Sequence, residues 1–188
     1  MKVQQFLMCR ACEGAQLIRN SVFTEHWGRY RSVTLQFFDM LSEEEFRWRP
    51  NPNAHSCAQQ LLHIAQNEDY FFRGIFGGDW DLERLRFPKE MPAKDELRRY
   101  LIEVRDRATG YLHALSPCDL DKPTPVPRGP TDFPLRWWLW LILEHEVHHK
   151  AQLSVYLRLL NKVPPYFAAP LPAGERPDIG IRAEMGGV

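Results

Sequence analysis

The stretch LWLILEHEVHHKAQLSVYLRLL, residues 139–160, places three histidines inside a long apolar segment. At about 100° per residue, His145 and His149 lie about 40° apart on a helix, and Gln152 lies about 20° to the other side of His145. An imidazole on an inward helix face needs partners for its ring nitrogens, and the i, i+4 spacing lets two imidazoles bind one metal ion. The stretch therefore predicts a core helix with metal ligands. His148, at the edge of this face, is predicted to line the pocket, and a chelate of His145 with His148 is the alternative.

The pentapeptide HEVHH, residues 145–149, also matches the H-E-x-x-H signature of zinc proteases. The extended protease pattern needs glycine at position 152 and histidine at position 155, where this chain has Gln152 and Val155. A second pattern needs a downstream glutamate, but no acid or histidine occurs between His149 and Glu175. A zinc protease is therefore not predicted, and Glu146 is kept only as a candidate general base.

A second segment, SCAQQLLHIAQNEDYFF at residues 56–72, supplies a candidate third ligand. Ser56 and Gln59 form a capping box that marks a helix start, and the two glycines at 77–78 mark its end. His63 shares its helix face with amides and a tyrosine, which indicates a polar lining within the bundle. The predicted pocket or second-sphere residues are Asn67, Tyr70 and, from the last helix, Gln152. Three imidazoles with an open position suit zinc, with nickel, iron and manganese as alternatives.

Helical periodicity recurs in four segments, at residues 17–41, 56–76, 94–115 and 135–161. The last two are joined by a long connection, residues 116–134, that contains six prolines. Four long helices without clear strands predict an all-α four-helix bundle, in which sites form from side chains on facing helices. We expect an N-terminal extension at 1–16, the bundle at 17–168 and a Pro/Gly-rich tail at 169–188.

Composition restricts the function classes. The chain has 24 basic and 24 acidic residues among 188, and this balance argues against nucleic-acid binding. The apolar run at 137–143 is too short to span a bilayer, and the N-terminus lacks a convincing signal peptide. We therefore expect a soluble cytoplasmic protein without a membrane partner. Cys9 and Cys12 form a C-x-x-C that we expect to stay reduced, since one pair does not complete a structural zinc site.

Two blocks of the sequence resemble the DinB-like (DinB/YfiT) superfamily. Residues 56–72 are similar to its S-x-x-x-L-L-x-H-I-A block, and HEVHHKAQLSVYLRLLNKVPP at 145–165 is similar to its H-x-x-x-H-x-x-Q-L block. The resemblance covers about residues 20–168. It implies a four-helix bundle that holds a divalent metal through three histidines, which map to His63, His145 and His149. It also implies a dimer. A second apolar stripe on the last helix is predicted to be covered either by the N-terminal segment and the tail or by a second subunit, and we favour the homodimer. This stripe consists of Trp140, Leu143, Val147 and Ala151.

The resemblance leaves the reaction open, because some relatives transfer low-molecular-weight thiols and others have been proposed as hydrolases or isomerases. A three-histidine metal can activate water or bind a thiolate. The sequence offers few carboxylates on the histidine faces, which favours thiol or carbonyl-oxygen binding over water activation. We therefore expect a metal-dependent enzyme acting on a small molecule, such as a low-molecular-weight thiol, by thiol transfer or hydrolysis. The alternative is a non-catalytic, metal-stabilised stress or binding module.

Overall fold

The structure is a computed structural model that describes residues 10–166, with side chains described from Phe23 to Tyr166 apart from that of Pro117. The side chains of Cys9 and Cys12 lie outside the described residues. So do the first nine residues of the predicted N-terminal extension and the whole of the predicted tail at 169–188.

Four long helices dominate the described chain. They are α1 (Arg10–Asp39), α3 (Cys57–Gly77), α4 (Lys94–Ala114) and α5 (Leu135–Leu159). A one-turn helix, α2 (Glu43–Phe46), follows α1, and two 3₁₀ segments, Leu82–Leu85 and Pro117–Asp121, lie in the connections. Residues 10–166 contain no strand beyond an isolated bridge between Pro123 and Pro134, which closes the long connection before α5. The predicted all-α bundle is confirmed.

Local capping explains where α3 begins and ends. The Ser56 hydroxyl accepts a hydrogen bond from the Gln59 amide at 3.2 Å, and the Gln59 side chain accepts one from the Ser56 amide at 2.9 Å. Gly78 ends the helix in the left-handed conformation, with φ of 71°, which glycine adopts at little cost. The predicted capping box is therefore confirmed, and α3, α4 and α5 agree with their predicted bounds within two residues. Helix α1 begins at Arg10, earlier than the predicted position 17.

The helices enclose two apolar clusters at different heights of the bundle. Both α1 and α3 pack against α4 and α5. One cluster includes Phe37, Phe38, Leu61, Leu101 and Leu153, and the other includes Trp27, Phe72, Ala108, Leu139 and Ile142. The gap between the two clusters ranges from four residues on α4, between Val104 and Ala108, to ten residues on α5, between Leu143 and Leu153. A distinct layer therefore lies between them.

The residues of the apolar stripe predicted to face a second subunit differ in their exposure. Leu143 is 2% exposed and belongs to the core, whereas Trp140 is 48% exposed and packs edge-on against Phe23 at 5.3 Å between ring centroids. The homodimer stays a prediction. Within residues 10–166, none of the helices has the length and hydropathy that a bilayer span requires.

Candidate metal centre

Three histidines from two packed helices converge on one point. His63 lies on α3, and His145 and His149 lie one turn apart on α5. The Nε2 atom of His145 is 3.3 Å from that of His63 and 3.1 Å from that of His149. One ring nitrogen from each residue lies within 4.8 Å of the others, so the three side chains form a single cluster of donor atoms.

Two glutamine oxygens orient the His149 ring. Its Nδ1 atom makes a short hydrogen bond to Oε1 of Gln60 and another of 3.1 Å to Oε1 of Gln152. Because an amide oxygen only accepts hydrogen bonds, this assignment puts the proton of His149 on Nδ1 and leaves a lone pair on Nε2. A fixed partner on the second nitrogen is the usual arrangement for a metal-bound histidine.

The cluster is neutral at physiological pH. Burial, followed by the nearby His149 and His63, lowers the pKa of His145 to about 3. Burial and then His63 lower the pKa of His149 to about 4, and burial also lowers the pKa of His63. Neutral imidazoles are the form that binds metal ions, so protons do not compete for these nitrogens near pH 7.

The donor set fits a divalent metal ion. Two nitrogens bound tetrahedrally to zinc at about 2.0–2.1 Å would be about 3.3–3.4 Å apart, close to the separations of the Nε2 atoms here. Hydrogen bonds among the three histidines would satisfy their ring nitrogens less well than a metal ion would. Because the proton of His149 is on Nδ1, its Nε2 atom can only accept a hydrogen bond. A neutral His145 carries at most one proton on Nε2, so it can donate a hydrogen bond to His149 or to His63 but not to both. The Nδ1 atom of His63 is buried without a hydrogen-bond partner among the described residues.

The other predicted pocket residues lie at different distances from the cluster. Gln152 contacts His149 directly, and His148 is exposed, with its Nε2 atom 3.0 Å from the Gln152 side-chain nitrogen. His148 is not part of the three-histidine cluster, so the alternative chelate with His145 is not the arrangement found. Tyr70 packs against Trp80 instead, and neither Tyr70 nor Asn67 makes a described hydrogen bond or ring contact with the three histidines.

Two residues that the sequence did not single out form a wall beside His63. The ring centroid of His55 is 6.3 Å from that of His63, and the Phe87 centroid is 6.1 Å from it. The loop that carries Phe87 is attached to α3, because the Gln66 side chain donates a 3.0 Å hydrogen bond to the Arg86 carbonyl. His55, just before the capping serine, and an isolated phenylalanine in a loop carry no sequence signal that places them here.

Glu146 lies on a different face of α5 from His145 and His149. Its carboxylate is 2% exposed and accepts short hydrogen bonds from Thr34 and Arg105, with Arg31 Nε at 3.3 Å. Arg31 and Arg105 also bind Glu68 on α3, at 2.5 Å and 2.8 Å. Each of the four long helices therefore contributes to one buried ionic layer.

This ionic layer separates the two apolar clusters of the bundle. The nearby Lys150 is fully buried, and its ammonium lies 4.3 Å from the centre of the Tyr30 ring. Burial alone would raise the pKa of Glu146, but Arg31 and Arg105 outweigh it and hold that pKa well below its ordinary value. Burial raises the pKa of Glu68 despite the same two cations. The layer thus holds Glu146 as an ionised partner of two guanidinium groups.

A comparison with known proteins places this fold in a family. The sequence profile of the DinB superfamily matches residues 26–153, more than half of the chain. The chain belongs to the DinB superfamily. The uncharacterized protein YjoA of Bacillus subtilis (strain 168) is 23% identical over 151 residues, which cover 78% of this chain and 90% of YjoA.

Two solved DinB-like structures share the fold. The crystal structure of the DinB-like protein YjoA from Bacillus subtilis matches with a TM-score of 0.63 at 21% identity, covering 79% of this chain and 99% of that one. A DinB-like protein from Bacillus cereus ATCC 10987 matches with a TM-score of 0.56 at 18% identity, covering 77% of this chain and 94% of the other. At this level of identity the two structures support the DinB-like bundle and not a particular activity.

Proposed function

We propose that the protein binds one divalent metal ion through the Nε2 atoms of His63, His145 and His149, and that it is a metal-dependent enzyme acting on a small molecule. The convergence of these three nitrogens carries the proposal, with Nε2 of His145 lying 3.3 Å from that of His63 and 3.1 Å from that of His149. The imidazole donor set favours zinc, with nickel, iron and manganese as alternatives.

The protein's own residues fix the ligand geometry. Gln60 and Gln152 hold the His149 ring with Nε2 directed at the other two imidazoles. Glu146, adjacent to His145, ties α5 to Arg31 on α1 and Arg105 on α4, and so fixes the position of this helix in the bundle. With three protein ligands, a bound metal ion would keep a position open for a thiolate, a carbonyl oxygen or a water of lowered pKa.

We favour thiol transfer over hydrolysis because, among the side chains described, a carboxylate free to act as a general base is lacking near the histidines. Glu146 and Glu68 are both paired with arginines in the ionic layer, and Asp69 is paired with Arg73 and Arg107. None of the acids described between residues 23 and 166 hydrogen-bonds to the three histidines. Glu146, the candidate general base, is therefore assigned to helix positioning. The substrate we propose is a small molecule such as a low-molecular-weight thiol.

A non-catalytic role is the second candidate, and the two-helix origin of the ligands favours it. A metal bound by His63 and His145 would join α3 to α5, as a structural metal does. In that case metal removal lowers the melting temperature, and the metal-loaded protein shows no turnover with thiol co-substrates. An enzyme gives metal-dependent turnover that metal removal abolishes.

The metal content of purified variants tests the site. His63→Ala removes the only proposed ligand on α3, and His113→Ala removes an exposed histidine of α4 as the matched control. We expect about one equivalent of metal in the wild type and in His113→Ala, and almost none in His63→Ala. Full metal content in a folded His63→Ala variant would overturn the proposal, and circular dichroism verifies the fold.

A further inference from the structure

A second candidate site lies at the N-terminal end of α3. A surface cavity of about 420 Å³ opens there. Its lining consists of Arg47, Arg49, Ser56, Lys89, Glu90 and Met91. The lining therefore contains three cations and one carboxylate, a local basic excess in a chain whose charges balance overall.

The cations of this cavity differ from several arginines of the neighbouring segments. Arg84, Arg86 and Arg98 each pair with a nearby carboxylate. Arg47 and Lys89, like Arg49, form no ion pair with any acid in the described part of the chain. Their charge is thus not neutralised within the described protein.

Three unpaired cations around a concavity attract small oxyanions. The concave, low-dielectric wall strengthens the field of each charge over its value on a flat surface. A guanidinium group such as that of Arg47 or Arg49 can donate two parallel hydrogen bonds to a phosphate or a carboxylate. The positive end of α3, which begins beside Ser56, adds to the same potential.

Two residues that line the cavity are close in sequence to residues that pack beside His63. Ser56 directly follows His55 in the chain, and Lys89 lies two residues after Phe87. His55 and Phe87 contact each other, with ring centroids 4.9 Å apart, and both pack beside His63. The segments that line the cavity at Ser56 and Lys89 therefore continue into the two residues, His55 and Phe87, that pack beside His63.

We propose that this cavity binds the phosphate or carboxylate group of a small molecule. The further assignment of that molecule as the substrate rests on the proposed function and follows from the continuity of the cavity's lining segments with His55 and Phe87, which pack beside His63. The substrate class is then a small molecule with an anionic group in addition to the group that reacts.

Titration with inorganic phosphate, and separately with succinate, tests the cavity by two-dimensional amide NMR at low ionic strength. The full-length wild type is compared with Arg47→Gln/Arg49→Gln. The control Arg98→Gln/Arg136→Gln also removes two exposed positive charges, but these residues pair with Asp39 and Asp121 and do not line the cavity. We expect saturable shifts at residues 47–58 and 87–91 in the wild type and in the control. The affinity of the Arg47→Gln/Arg49→Gln variant should fall by roughly tenfold or more.

Preference for one titrant identifies phosphate or carboxylate as the ligand group. Unsaturable shifts spread over the surface, or an equal loss in the two double variants, would overturn the proposal. The same titration of His63→Ala separates this site from the metal site. Retained phosphate binding with lost metal supports both sites, whereas normal metal content with no saturable anion binding overturns only the cavity.

Discussion

Replacement of Glu146 by glutamine tests the role of the ionic layer. The substitution keeps the size of the side chain but removes the charge that Arg31 and Arg105 share. Both guanidinium groups are almost fully buried, with Arg31 3% and Arg105 5% exposed, so water cannot replace the lost carboxylate. Removal of one partner from a buried ion pair costs about 3–5 kcal/mol.

That cost is a large part of the stability of a single domain, which is about 5–15 kcal/mol. For a chain of this length, about 1 kcal/mol corresponds to about 2–4 °C, so we expect the melting temperature of Glu146→Gln to fall by about 6–20 °C. Urea unfolding of the metal-free protein, with EDTA present, measures the effect without a contribution from metal binding.

Asp39→Asn is the matched control, because Asp39 also pairs with an arginine but is 55% exposed. An exposed pair contributes about 0–1 kcal/mol, so this variant should unfold almost as the wild type does. If Glu146→Gln were as stable as Asp39→Asn and yet lost turnover, the ionic-layer account would be refuted. Glu146 would then regain its place as a candidate general base.

Three further predictions concern the ligand sphere and the fold. Gln60→Leu should weaken metal binding by roughly 10–100-fold, because the Nδ1 atom of His149 loses the shorter of its two hydrogen bonds and keeps only the one to Gln152. A competitive chelator titration measures this, and unchanged affinity would exclude an orienting role for Gln60. The metal-free protein should lose stability as the pH falls from about 6.5 to about 4. In this pH range His145 and His149 bind protons only in the unfolded state, so each lowers the free energy of unfolding by up to about 1.4 kcal/mol per pH unit as the pH falls. A free energy of unfolding in urea that stayed constant over this range would contradict their low pKa values. Ser56→Ala should cost about 1 kcal/mol through loss of the α3 capping box, and an unchanged urea midpoint would show that the cap adds nothing.

The sequence located the long helices well because their signals are local. Apolar periodicity and the Ser56–Gln59 box fixed α3 within one residue of its structural bounds. Helix α1 was predicted to begin late because residues 10–16, RACEGAQ, lack an apolar repeat. The short α2 was missed although Ser42 and Glu45 form a capping box that signals it.

The three-histidine cluster could be predicted because two of its members share one helix face, and the angle between them follows from helix geometry. The ionic layer could not be predicted in the same way, since it depends on four helices meeting at one height. One signal was present: Arg105 lies on the same stripe of α4 as Leu101 and Ala108, which are both buried. A charged residue on a buried stripe indicates a partner from another helix, but the sequence does not identify Glu146 and Glu68 as that partner.

X-ray absorption at the metal edge of the purified protein tests the central claim most directly. We predict three imidazole ligands per metal ion, with nitrogen at about 2.0–2.1 Å if the metal is zinc. We also predict that His63→Ala lacks this signal. Sulfur ligands at about 2.3 Å would assign the metal to cysteines and contradict the three-histidine site.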